Sequence, residues 1–177
     1  HKITLDEFRR IMAVNFDGTV AIKQPIYQHM REQRHGRIVV SVSSAGLHGL
    51  HGLSAYAAAK AALIAFKRSL AAEGASRDVM CSAIAPYAAT RMTDAHLTED
   101  LRRTMTADSV APLVEALIAP QHRISGETWV VGAGRDDNAF EVFRSGSETA
   151  HWPYLSIQGI DRADPGHFHA AGFHQCA

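Results

Sequence analysis

Tyr56 and Lys60 stand at positions i and i+4 of an alanine-rich run. If that run is helical, a phenol and an ammonium share one face, one turn apart. A phenol alone is a poor acid or base at neutral pH, because its ordinary pKa is about 10. An ammonium beside a phenol favours the phenolate, so such a pair can move a hydroxyl proton. Ser43 lies 13 residues before Tyr56, at the end of the β-branched run 37–43. A serine there can donate a hydrogen bond to a carbonyl or alkoxide oxygen. Ser41 and Ser44 are its alternatives: Ser41 comes earlier in the run and Ser44 is one step out of register. On spacing alone the pair also fits an exposed tyrosine beside a solvated lysine, so the surrounding elements must decide.

Thr4-Leu5-Asp6-Glu7 forms a capping box that predicts a helix start. Phe8, Ile11, Met12 and Asn15 follow at helical spacing, and the pattern continues to Met30. Gly18 and Pro25 predict a bend or kink within it. Residues 37–43 predict a buried strand, and 44–53 a loop with Gly46, Gly49 and Gly52 at every third position. A second helix is expected from about 54 to 74. It is small or apolar nearly all round, so it should be buried on more than one side: against the sheet and against a further helix, such as one from a partner subunit. A second strand is expected over 78–85, ended by Pro86, and a polar helical segment over 94–105. Asp108-Ser109 should cap a helix over 110–117, and Thr128-Trp129-Val130-Val131 should form a third strand before Gly132 and Gly134. Residues 136–177 have no sustained period and are expected to form an irregular tail. Strands alternating with helices predict an α/β fold with a parallel sheet and right-handed crossovers. Ligands in such folds sit beyond the carboxyl ends of the strands, where Ser43 and Pro86 fall.

Composition narrows the functions. The chain has 177 residues with 18 Lys+Arg against 18 Asp+Glu. That balance argues against a nucleic-acid partner, which usually calls for a basic excess. No run of about 18 apolar residues is present, so no membrane span is expected. Two cysteines are too few for a disulfide framework, no signal peptide is recognised, and a cytoplasmic location is expected. His48 and His51 lie in the glycine loop with no cysteine or carboxylate cluster to complete a metal site. His167, His169, His174 and Cys176 match no familiar structural zinc spacing, so no metal is expected.

The strand ending at Ser43, followed by Ser54-Ala55-Tyr56-Ala57-Ala58-Ala59-Lys60, resembles the short-chain dehydrogenase/reductase family. Val14-Asn15-Phe16-Asp17-Gly18-Thr19 resembles that family's helix bearing a catalytic asparagine. Ala83-Ile84-Ala85-Pro86, with Thr90, resembles its nicotinamide-holding strand and loop, and Gly126 to Gly134 its last strand. The resemblance covers about residues 3–135. It implies a Rossmann-like parallel sheet with flanking helices, incomplete at the N-terminal, glycine-rich half, with 1–135 as the catalytic half. It also implies NAD or NADP as cofactor, NAD being favoured. Tyr56 would be the acid/base and Ser43 would orient the substrate oxygen. Lys60 would support Tyr56 and bind the nicotinamide ribose, and Asn15 would hold a relay water. Pro86, Ala89 and Thr90 would line the nicotinamide. Short motifs at 88–93, 110–114 and 126–135 resemble the dehydrogenase unit of multifunctional β-oxidation enzymes, which implies 3-hydroxyacyl-CoA substrates. A homo-oligomer through helix 54–74 is expected.

Two departures stand beside the resemblance. The sequence holds no Thr-Gly-x-x-x-Gly-x-Gly turn of the kind that cradles a pyrophosphate at a helix N-terminus. Tyr87 follows Pro86 where the family usually has glycine, and Ser82 replaces a usual asparagine. They leave open an alternative, a non-catalytic remnant that keeps the oligomerisation helix and does not bind dinucleotide alone.

Overall fold

A computed structural model describes residues 2–91, 93, 97–132 and 141–145. The first helix, α1 (Leu5–Met12), opens on the expected capping box. The Thr4 hydroxyl accepts from the Glu7 N–H, and the Glu7 carboxylate accepts from the Thr4 N–H at 2.9 Å. The irregularity expected at Gly18 and Pro25 falls earlier. A π-helical turn, Ala13–Asp17, separates α1 from α2 (Gly18–Gln33), and Pro25 lies inside α2. The helical bond that Pro25 deletes would have ended on Ala21, an exposed residue, so water can replace it.

Strand β1 (Gly36–Ser41) is shorter than the run 37–43. Val42 keeps one tie to the next strand, its N–H donating to the Ile84 carbonyl at 2.7 Å. Ser43 then caps a short helix, α3 (Ser44–His48), where the sequence predicted only loop. Gly49 and Gly52 take left-handed φ values of +74° and +78° in the turn beyond it. Helix α4 (Ser54–Gly74) has the predicted bounds.

Strand β2 (Val79–Tyr87) runs past Pro86. Its pairing with β1 ends at Ser41↔Ile84, so beyond Ile84 only β3 flanks it. A proline lacking an N–H is tolerated on that half-open stretch. Then follow α5 (Glu99–Thr104), a 3₁₀ turn (Ala107–Val110), α6 (Ala111–Ile118) and β3 (Thr128–Gly132). The three strands form the expected parallel ladder in the order β1-β2-β3. A fourth strand, β4 (Glu141–Ser145), pairs antiparallel with β3 inside the stretch expected to be irregular. Gly134, His167, His169, His174 and Cys176 lie outside the described residues, as do Met92 and 94–96 of the predicted polar segment.

The sheet is covered on both faces, as parallel sheets require. On one face Val40, Val42, Val79, Cys81, Ala83 and Ala85 pack with Leu63, Ile64, Leu70 and Ala71 of α4 and Tyr27 of α2. On the other, Ile84, Trp129 and Val131 pack with Leu113 and Leu117 of α6. Small residues on β2 let α4 approach closely. Because α4 links two parallel strands, it starts at their carboxyl rim and returns to their amino rim.

Candidate active site

The carboxyl rim gathers most of the residues singled out in the sequence. Ser43 sits just past β1 as the N-cap of α3, and its Oγ accepts from the Ala45 N–H at 3.2 Å. That bond uses an oxygen lone pair and leaves the hydroxyl proton for a second acceptor. The serine at this position therefore remains able to donate. Ser41 enters differently: its backbone carbonyl accepts from Lys60 Nζ at 3.2 Å. Ser44 is held by the Tyr87 hydroxyl at 2.5 Å.

Tyr56 and Lys60 occupy the first two turns of α4, and both are half-buried. Lys60 Nζ lies 5.5 Å from the centroid of the Tyr56 ring. The ammonium therefore faces the phenol, as the i, i+4 spacing predicts, and a cation there is drawn to the ring face. Burial holds the Lys60 ammonium below the ordinary lysine range.

Gly46 joins these two groups of residues. A Cβ on Gly46 would come within 2.8 Å of the Ala61 nitrogen and the Lys60 carbonyl carbon. Helix α3 therefore lies directly on α4 at Lys60, which brings Ser43 to the Tyr56–Lys60 end of the helix. The need for glycine here is close approach, whereas the sequence suggested a turn.

Asn15 lies in the π turn, a feature often found at functional sites. Its Nδ2 donates to the Ile11 carbonyl at 3.1 Å, and its own carbonyl accepts from Thr19 Oγ1 at 2.9 Å. The turn packs on α4, with the Phe16 and Phe66 rings meeting edge-to-face at 6.1 Å. Pro86 is exposed at the end of β2, and Ala89 and Thr90 lie in the loop beyond. That loop is pinned: the Ala89 N–H donates to Met105 O at 2.6 Å, the Thr90 N–H to Thr93 Oγ1 at 2.9 Å, and Thr93 Oγ1 to Ala88 O at 2.8 Å.

The nicotinamide–ribose end of a dinucleotide has residues that fit it. Lys60 carries three N–H donors, one of which goes to Ser41. For the pyrophosphate end, no glycine-rich strand-to-helix turn occurs among the described residues. His48 ends α3 and His51 lies in the turn beyond it, and both are exposed. Among the described residues no group of three His, Cys, Asp or Glu stands together as a metal site.

Two features carried little sequence signal. The Tyr87–Ser44 bond joins residues 43 apart, and only the unusual residue after Pro86 marked the position. Lys67 is fully buried, a placement that composition argues against.

A phenol beside an ammonium, with a serine hydroxyl on the same carboxyl rim of a Rossmann-like sheet, is a set of groups chemically able to exchange a proton with an oxygen. A family model of short chain dehydrogenases matches residues 1–102, and the chain belongs to that family. A protein named as a short-chain type dehydrogenase/reductase of Mycobacterium tuberculosis is 35% identical over 135 residues, covering 76% of this chain and 47% of that protein. Peroxisomal multifunctional enzyme A of Dictyostelium discoideum is 34% identical over 133 residues, covering 75% of this chain and 30% of that enzyme. The solved structure of full-length peroxisomal multifunctional enzyme type 2 from Drosophila melanogaster superposes with a TM-score of 0.70 at 25% identity, over 82% of this chain and 25% of that one. The chain thus spans less than half the length of these relatives. Among the described residues no helix is long and apolar enough to cross a membrane.

Proposed function

We propose that this chain carries the catalytic part, to about residue 135, of an oxidoreductase that moves a hydride between NAD or NADP and a secondary alcohol or its carbonyl. NAD is the favoured cofactor. One observation carries the reading: α3, capped by Ser43, rests on α4 at Lys60 through Gly46, and Lys60 lies beside the Tyr56 ring. In the oxidative direction the substrate hydroxyl lies between Ser43 and Tyr56. Tyr56 takes its proton, and the Ser43 O–H donates to the oxygen as charge grows there. Lys60 places positive charge beside the Tyr56 ring and offers N–H donors to a ribose. Asn15 holds a water that carries the proton onward. Pro86, Ala89 and Thr90 line the nicotinamide. A nicotinamide bound there would supply the hydride acceptor for oxidation of the carbinol carbon.

Kinship with peroxisomal multifunctional enzymes supports a 3-hydroxyacyl-CoA substrate and a place in fatty-acid metabolism. Ala58, Ala61 and Ala65 leave an apolar side of α4 exposed, beyond the side packed on the sheet, which supports a homo-oligomer through that helix. A cytoplasmic location completes the proposal.

The test follows reduced-nicotinamide absorbance with NAD or NADP, using a 3-hydroxyacyl thioester and simple secondary alcohols. Tyr56→Phe should lower turnover by about 100-fold or more. Wild-type rates in that variant would overturn the assignment. Calorimetric titration of the 177-residue chain with NAD and NADP separates the enzyme from the non-catalytic remnant, which would bind neither.

A further inference from the structure

Helix α3 spans five residues, Ser44–His48. A helix that short is not stable by its own hydrogen bonds, so neighbours must hold it. One support is α4, on which Gly46 rests. The other is Tyr87. It is the last residue of β2, and its hydroxyl donates to Ser44 Oγ at 2.5 Å. The half-buried ring therefore spans the gap between the end of β2 and the start of α3. Its backbone is fixed in turn. Tyr87 pairs with Gly132, whose φ is +154°, and any Cβ on Gly132 would strike the Tyr87 carbonyl oxygen. Ser44 is the next residue after Ser43, so a bond that holds Ser44 restrains the backbone of the cap that carries the Ser43 hydroxyl.

We propose that Tyr87 is a positioning residue: a strut from β2 that locks the first turn of α3 and so aims Ser43 at the substrate oxygen. The effect on turnover rests on the hydride-transfer reading above, whereas the effect on the turn does not. Tyr87 acts through Ser44 and exchanges no proton with substrate.

The experiment compares the wild-type chain with Tyr87→Phe, Ser44→Ala and the double variant. Amide hydrogen exchange is read at Ala45, Gly46 and Gly49, whose N–H groups hold the turn. Loss of one hydrogen bond predicts exchange faster by roughly two- to tenfold in each single variant. The double variant should be no faster than either single, because both delete the same bond. Exchange unchanged in Tyr87→Phe overturns the strut, and so do single effects that add in the double. The second readout is steady-state kinetics with a 3-hydroxyacyl thioester. A strut that aims Ser43 predicts a lower kcat at nearly unchanged KM. A raised KM with kcat intact would instead make Tyr87 a binding residue and overturn the positioning role. Tyr56→Phe is the control: wild-type turnover no higher than that of Tyr56→Phe refutes the hydride-transfer reading, while the exchange data still decide the strut.

Discussion

Lys67 is 0% exposed, and its Nζ donates to the Gly126 carbonyl at 2.6 Å and to Thr128 Oγ1 at 3.1 Å. Burial is the main reason its pKa falls from 10.5 to about 8; Arg68 lowers it further, while Cys81 and Glu127 act in the opposite sense. At pH 7 both folded and unfolded chains hold the proton, and the folded chain bears a penalty of roughly 3 kcal/mol for the charge. As pH rises from 8 towards 10.5, the folded chain releases the proton first. The unfolded state then binds more protons, so stability rises with pH. Between pH 7 and 9 the gain is about 1 kcal/mol. Cys81 limits the useful range. Burial pushes its thiol up from 9.0 to about 11, so thiol ionisation favours the unfolded chain above pH 9.

Lys67→Met removes the charge and leaves Gly126 O and Thr128 Oγ1 without that donor. Each lost partner costs about 1–3 kcal/mol, which offsets the relieved desolvation. The slope therefore carries the test, and the offset at pH 7 does not. Urea denaturation of both proteins at pH 7, 8 and 9 should show the wild type gaining about 1 kcal/mol relative to the variant. In a thermal melt that gain is about 2–4 °C. Parallel pH profiles would refute the reasoning, because they would mean that Lys67 does not lose its proton in the folded chain over this range.

Gly46→Ala places a methyl group against the backbone of Lys60 and Ala61. The expected cost is about 1–3 kcal/mol in urea denaturation, together with reduced turnover as Ser43 moves; unchanged stability would mean that α3 does not rest on α4 as described. Asp78 lies beside His35 Nδ1 at 3.2 Å, Arg37 Nη2 at 3.2 Å and Arg123 Nη1 at 3.8 Å. The His35 hydrogen bond and then the Arg37 and Arg123 charges hold its carboxyl below the usual range. Its stabilisation is complete above the unfolded carboxylate value and is lost as pH falls through the folded one. Asp78→Asn should flatten the acid limb of a stability–pH curve, and a limb of unchanged steepness would remove Asp78 from that role.

Legibility in the sequence followed how local the cause was. Helix α4 was legible to its ends because its composition and periodicity are sustained over 21 residues. The Thr4 cap was legible because all its bonds fall within four residues. Helix α3 was not, since five residues show no period and its supports come from α4 and Tyr87. Pro86 suggested a strand end because a proline cannot donate in a ladder. It stays in β2 because β1 has already stopped beside it. The π turn at Ala13–Asp17 had no signal of its own: glycine and proline mark the usual sites of irregularity, and this stretch contains neither.

The two lysines of α4 show why residue type alone does not assign a role. Lys60 and Lys67 lie seven residues apart, two helical turns, so both fall on the inner face. Lys60 is half-buried at the carboxyl rim and has one protein acceptor, the Ser41 carbonyl. Lys67 is sealed at the amino rim, with one bond to the Gly126 carbonyl and another to the side chain of Thr128. Access and donor use separate them. Lys60 retains exposure and donors on the rim where ligands enter, while Lys67 joins α4 to the start of β3. The buried lysine thus ties α4 to the start of β3 two turns along from Lys60, without itself reaching the carboxyl rim.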